Sequence, residues 1–211
     1  MGLLVLLSAG VGGYLLGGLP TAYLAGRLKG VDIRRHGSGN VGATNAGRVL
    51  GWKVGVLVLV VDAAKGALAA GLAPLLLSCW ADPVYLGIAA GGGAILGHVF
   101  TPYLRFRGGK GVATAAGALA VLALLPTLSA AAVFLALVVA TGFVSLGSMG
   151  ASLALPVVAY ILGFWGWPTP QPVLGLLVAL AGFVLFTHRS NIRRLVQGKE
   201  HRVRRFWERR G

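Results

Sequence analysis

The chain has 211 residues, 56% of them apolar and only 11% charged, with a mean hydropathy of +0.81. A soluble domain of this size carries about twice that charge fraction, so a soluble fold is excluded and a polytopic membrane protein is predicted. Lys and Arg outnumber Asp and Glu by 19 to 5, for a net charge of +14. In a soluble protein that excess would suggest nucleic acid; here membrane topology accounts for it, and no nucleic-acid partner is implied.

In chain order, apolar runs predict seven spans, over 3–25, 54–78, 84–101, 112–126, 128–146, 149–166 and 172–187. The fold class is an all-α integral membrane protein. Residues 1–211 read as a single polytopic domain ending in a basic tail from about 188. The first run has no basic n-region and no clear cleavage site, so it reads as a span rather than a signal peptide. Gly13 and Gly17, and Gly93 and Gly97, are spaced to let helices approach closely. Cys79 is the sole cysteine, so no disulfide forms within the chain.

The split near Pro126 has an alternative. Residues 112–146 also parse as one bent element, which gives six spans and a different topology. Charge decides between the two. Every Lys and Arg except Lys65 lies within 27–53, within 105–110 or beyond 187. Seven spans place all of these on one side, opposite loops whose charge is Asp82 alone. Six spans would put the basic tail on the wrong side. Positive residues mark the cytoplasmic face, so the N-terminus is predicted outside and the C-terminus inside. Within the tail, Ile192, Leu195, Val203, Phe206 and Trp207 interleave with cations, which predicts a short interfacial helix near 192–195 and over 202–211.

Two cytoplasmic loops carry the chemistry. Residues 37–48 read GSGNVGATNAGR: Gly37, Gly39 and Gly42 permit turns, while Ser38, Asn40, Thr44, Asn45 and Arg48 supply donors. Hydroxyls, amides and a guanidinium suit a phosphate. Residues 108–111 read GGKG. This is no Walker A loop, because Leu104 stands where the first glycine would fall and Gly111 where Ser or Thr would. Lys110 instead sits among Gly108, Gly109 and Gly111 at the mouth of a helix predicted to begin near Val112, where an anion is favoured. His188 and Asn191 share a helix face at the end of the last span, and His188 could donate to phosphate or serve as a general base. Asp62 and Lys65, three apart inside a span, read as an intrahelical pair that braces the loops. Ser145 and Ser148 fall in a predicted short turn and add hydroxyls. His98 receives no role.

Absences matter too. Asp32 and Asp62 are the acidic residues near this face outside the tail, too few for a two-metal phosphotransferase site. No Cys/His cluster has zinc spacing, and no GxSxG elbow occurs. The chemistry is therefore expected to need no metal and no cofactor.

Taken in order, GSGNVGATNAGR (37–48), VDAAKG (61–66), GHVF (97–100), FRGGKGVATA (106–115), SLG (145–147) and HRSNIRRL (188–195) resemble the motifs of the bacterial acyl-phosphate:glycerol-3-phosphate acyltransferases, the PlsY family. The resemblance covers nearly the whole chain. It implies seven spans with an extracytoplasmic N-terminus, in the bacterial cytoplasmic membrane. It implies transfer of a fatty acyl group from acyl phosphate to the sn-1 hydroxyl of glycerol 3-phosphate, with no metal or cofactor. By motif position, Ser38, Arg48 and Lys110 look like ligands of the glycerol 3-phosphate phosphate. Thr44, Asn45, Ser145, His188 and Asn191 look like the lining of the acyl-phosphate and reaction centre. Asn40 and the glycines 108, 109 and 111 complete the binding loops. A substrate phosphate oxygen, rather than His188, is the family's expected proton acceptor. Arg189 and Ser190 depart from the family pattern, with His188 and Asn191 intact between and beside them.

Rival readings come from other classes. A carrier of a phosphorylated solute would also use cationic glycine-rich loops, but carriers place sites near the midplane on broken helices. A lipid-binding scaffold would need only the tail. A CDP-alcohol phosphotransferase would need more carboxylates. The chain is expected to act as a monomer.

Overall fold

The computed structural model describes residues 1–203, and no strand occurs among them. Most of the predicted interfacial segment 202–211 lies outside the described residues. Contacts divide the chain into two units, Met1–Leu122 and Ala123–Gly211.

The first unit holds six helices: α1 (Gly2–Gly18), α2 (Thr21–Leu28), α3 (Ala43–Leu50), α4 (Trp52–Leu77), α5 (Pro83–Val99) and α6 (Val112–Leu122). The run expected as one helix over 3–25 is two. Pro20 cannot donate to the ladder, and the chain breaks at Leu19–Pro20. The carbonyls freed by the break find side-chain donors. Thr101 Oγ1 donates to Gly18 O at 2.6 Å, and Lys65 Nζ donates to Leu19 O at 2.7 Å. A membrane-buried break is tolerable only with such partners.

α1 and α5 pack backbone to backbone. A Cβ on Gly13 or Gly17 would collide with Ala90 or Ala94, and one on Gly93 or Gly97 with Gly10 or Tyr14. Both expected small-residue pairs thus form one seam. Large apolar side chains point the other way: Leu3, Leu4 and Val11 on α1 and Leu57 and Val60 on α4 are exposed, while Ala9, Ala90 and Ala94 are buried. Small residues inside and bulky ones outside is the pattern of helices in lipid. α5 begins with Asp82, whose carboxylate accepts from Val84 N at 2.8 Å, followed by Pro83 at the first helical position.

The second unit holds α7 (Leu124–Thr141), α8 (Val144–Phe164), α9 (Gln171–Thr187) and α10 (Arg189–Val196). The segment 112–146 holds α6, α7 and the start of α8, with a one-residue break between α6 and α7. The break falls at Ala123 rather than Pro126. Pro126 sits in the first turn of α7, where its missing N–H costs no helical bond. Ser145 and Ser148 correct the expectation of a turn. Both lie inside α8 and are buried, because Gly142 alone, at φ 77°, closes α7 and lets the next helix start at once.

Five stretches are long and apolar enough to cross a bilayer: Gly2–Leu28, Trp52–Leu77, Pro83–Leu104, Leu124–Thr141 and Val144–Phe164. A sixth follows if α9 and α10, bent by 57°, count together. α6, with 11 residues, reaches roughly half of a hydrocarbon core.

Candidate functional site

The first unit builds one set of predicted residues. Asp32 opens a 3-10 turn at Ile33–Arg35, accepting from Arg34 N at 3.1 Å, Nε at 2.9 Å and Nη2 at 2.7 Å. That hydrogen bonding holds the Asp32 carboxyl well below the usual carboxylate range. Beyond it, Gly37 and Gly39 take positive φ. The segment 37–48 is not a continuous loop, as expected from sequence. Residues from Ala43 onward form α3, a short amphipathic helix bounded by Gly42 and Gly51. Thr44, Asn45 and Arg48 therefore stand on a helix, and Ser38 and Asn40 on the loop that feeds it.

Asn45 is 1% exposed, and its amide is committed to the backbone. Oδ1 accepts from Ser38 N at 2.9 Å; Nδ2 donates to Ile33 O and His36 O, both at 3.2 Å. It is a staple that fixes the loop and Ser38 with it. Thr44 is exposed, and Ser38, Asn40 and Arg48 are half-buried.

The GGKG loop is pinned at its root. Gly108 N donates to Val99 O at 2.9 Å and Gly109 N to His98 O at 3.0 Å, so the loop satisfies the last carbonyls of α5. Gly111, at φ 79°, turns the chain into α6, which starts at Val112 as expected. Lys110 is half-buried just before that helix N-terminus. Behind it, Asp62 and Lys65 pair at 2.8 Å and are 1% and 4% exposed. Thr21 Oγ1 donates to the same Asp62 oxygen at 2.9 Å. The brace expected from sequence is present, and it grips the α1–α2 break.

The same unit carries a cavity of about 540 Å³ lined by Tyr23, Arg34, Tyr103, Leu104, Arg105 and Arg107. None of the predicted binding residues lines it. Arg105 and Phe106 there are left-handed at φ 54° and 60°.

The second unit builds the other set. His188 is 2% exposed at the junction of α9 and α10. Its Nδ1 lies 2.8 Å from Val184 O. A carbonyl can only accept, so the proton sits on Nδ1, and in the neutral ring Nε2 carries the lone pair. Asn191 follows in the first turn of α10. Its Nδ2 donates to Glu200 Oε1 at 2.6 Å, and Ser145 Oγ donates to the same oxygen at 3.0 Å. Arg194 Nε donates to Oε2 at 2.7 Å. Burial pushes the Glu200 carboxyl up, but these bonds from Asn191, Arg194 and Ser145 outweigh it and hold the group below its ordinary range. Val203 N donates to Gly142 O at 2.7 Å, so the tail returns over the α7–α8 turn.

Glu200 was missed from sequence, where the tail was read as an anchor. The available signal was an acid among the tail's cations, one of two there with Glu208.

A family model described as Glycerol-3-phosphate acyltransferase matches residues 7–198. The chain belongs to this family. Among glycerol-3-phosphate acyltransferases it is 42% identical to that of Chlorobaculum parvum (strain DSM 263 / NCIMB 8327), over 90% of this chain and 93% of the relative. It is 43% identical to that of Trichlorobacter lovleyi (strain ATCC BAA-1151 / DSM 17278 / SZ), over 92% and 95%. Two crystal structures of PlsY (YgiH), an integral membrane glycerol 3-phosphate acyltransferase, are similar at 34% identity, over 93% of this chain and 94% of theirs. The glycerol 3-phosphate form gives a TM-score of 0.83. The lysophosphatidic acid form gives 0.80. This glycerol-3-phosphate acyltransferase family member is thus an all-helical, multi-pass membrane protein.

Proposed function

We propose that the protein transfers a fatty acyl group from acyl phosphate to the sn-1 hydroxyl of glycerol 3-phosphate, releasing 1-acyl-glycerol 3-phosphate and inorganic phosphate. The observation that carries this reading is Lys110. It stands in a glycine loop bonded to the end of α5 and delivered to the N-terminus of α6, where ammonium, backbone N–H groups and helix dipole favour one phosphate. The PlsY structures, described as glycerol 3-phosphate and lysophosphatidic acid forms, support the substrate and product.

In the proposed reaction the sn-1 hydroxyl oxygen attacks the acyl carbonyl carbon. The carbon–oxygen bond to phosphate breaks, and the hydroxyl proton passes to a phosphate oxygen of the donor. An acyl phosphate is a mixed anhydride with a good leaving group, so positioning can supply much of the rate, up to roughly 7–11 kcal/mol in ideal cases. Ser38, Arg48 and Lys110, with Asn40 and Gly111, hold the phosphate of glycerol 3-phosphate, while Gly108 and Gly109, whose amides donate to Val99 O and His98 O, shape the loop around it. Asn45 acts through Ser38, and Thr44 adds a hydroxyl. Ser145, His188 and Asn191 serve the acyl-phosphate and its developing charge. Asp62 and Lys65 are structural support.

No metal or cofactor enters the proposal. The protein is proposed to be a monomeric single domain in the bacterial cytoplasmic membrane. It has seven spans, with α6 as a short one, the N-terminus outside and the active face in the cytoplasm.

The test uses purified protein with palmitoyl phosphate, glycerol 3-phosphate and excess EDTA, following phosphate release. Release that requires glycerol 3-phosphate, survives EDTA and falls by on the order of 10²–10³ in Lys110→Ala is expected. No turnover from folded protein across several acyl lengths would put a carrier of phosphorylated solutes in its place.

A further inference from the structure

His98 has no part in the proposed reaction, yet it stands where two loops meet. It lies in the last turn of α5 and is 8% exposed. One edge of its ring faces Gly109 so closely that a Cβ there would collide with Nε2. The same Cβ would come within 2.6 Å of the Val41 carbonyl oxygen. Gly109 is therefore clasped between the imidazole and the first-motif loop. Its N–H also binds the carbonyl of His98 itself, at 3.0 Å. Backbone and ring of one residue hold the position next to Lys110.

The other edge of the ring has a fixed neighbour. Nδ1 lies 3.8 Å from Asp62 Oδ1, too long for a hydrogen bond but close enough for the ring to pack against the carboxylate. That oxygen is itself held by Thr21 and Lys65, and Lys65 is held by Leu19 O. The chain of contacts runs from the α1–α2 break through α4 to the end of α5 and then to the GGKG loop. Every link lies within the first unit. A glycine is required at 109 because the ring and a carbonyl already occupy the space of a side chain.

We infer that His98 is a positioning residue: wedged between the Asp62–Lys65 pair and Gly109, it sets where Lys110 presents its ammonium to a phosphate monoester. The inference rests on Lys110 being the phosphate ligand proposed above. His98 touches no substrate in this scheme. It acts through the loop, so its removal weakens capture of glycerol 3-phosphate and leaves capture of the acyl donor alone.

The experiment is a double-mutant cycle on the full chain in detergent, with His98→Ala, Lys110→Ala and the pair, and His98→Asn carried through the same cycle. KM for glycerol 3-phosphate, KM for palmitoyl phosphate and kcat are measured, with calorimetric binding of glycerol 3-phosphate alongside. In His98→Ala the KM for glycerol 3-phosphate should rise about tenfold and the donor KM stay within about twofold. His98→Asn, which keeps a polar group toward Asp62, should recover part of the loss. In the Lys110→Ala background, His98→Ala should cost little more, because both act on one contact. A purely structural role would not produce that selectivity or that non-additivity. If a folded His98→Ala or His98→Asn enzyme keeps both KM values, or if the two losses multiply, the inference fails while the acyltransferase reading stands. If the unaltered protein neither binds nor acylates glycerol 3-phosphate, that reading fails and takes the inference with it.

Discussion

Two carboxylates organise this molecule, one in each unit, and they are built differently. Asp62 lies within α4, and its cation Lys65 is one turn along the same helix. Glu200 lies beyond α10 and collects Asn191 and Arg194 from that helix and Ser145 from α8, 55 residues away. A charge carried into a membrane span is costly, so its partner is local and forms as the helix forms. A charge outside the spans is hydrated until the fold closes, so it can wait for distant partners. Asp62 and Lys65 thus tie α4 to the α1–α2 break through Thr21 and Leu19 O, while Glu200 ties α8 to α10.

Asp62→Ala should break the comparison most severely. It leaves Lys65 buried without its counter-ion, and a loss of about 3–5 kcal/mol is expected in detergent unfolding. Replacing the pair together, Asp62→Leu with Lys65→Met, should recover much of that. A cost below about 1 kcal/mol for the single change would show that the pair is not an anchor.

Glu200→Ala should cost less stability, about 1–3 kcal/mol, through the donors it strands. Its larger signature is expected in kcat, because Ser145 and Asn191 lose a shared acceptor. Unchanged kcat with lowered stability would make Glu200 a tail clamp alone.

The carboxylates can also be separated by acid. Glu200 is held below its ordinary value of 4.5, so it stabilises the folded state above that pH and stops doing so as pH falls through its depressed folded value. The stability gap between the unaltered protein and Glu200→Gln should be constant near neutrality and shrink below about pH 4.5. A gap as large at about pH 3 as it is near neutrality would mean the carboxylate is not depressed. The smallest effect is expected from Arg202→Ala. Its guanidinium lies 4.9 Å from the Phe143 ring centroid, and about 0.5–1 kcal/mol should be lost.

These differences also explain what could be read in advance. The predicted apolar segments are helical, because hydropathy specifies burial in lipid, but their ends are not where the sequence put them: 3–25 is two helices, and 112–126 and 128–146 each cross a break. The Asp62–Lys65 pair was legible because its spacing lies within one helix. The break at Leu19–Pro20 was not, since its stability depends on Lys65 and Thr101 arriving from elsewhere. α3 reads as loop in the sequence because it continues the Gly- and Asn-rich motif 37–48, and those residues signal turns unless packing overrides them. Ser145 and Ser148 were placed in a turn for the same reason. Glu200 had no local pattern, and its meaning comes from residues up to 55 positions away. The motif residues themselves stand out in the sequence because glycine, amide and cation together suit a phosphate.

The seam between α1 and α5 has a consequence for traffic from the bilayer. Gly13, Gly17, Gly93 and Gly97 bring the two backbones into direct contact, with no room for even a methyl group. A methylene chain cannot slide between surfaces that exclude one carbon. This side of the first unit is a wall to lipid tails, and any fatty chain reaching the protein's interior has to enter elsewhere.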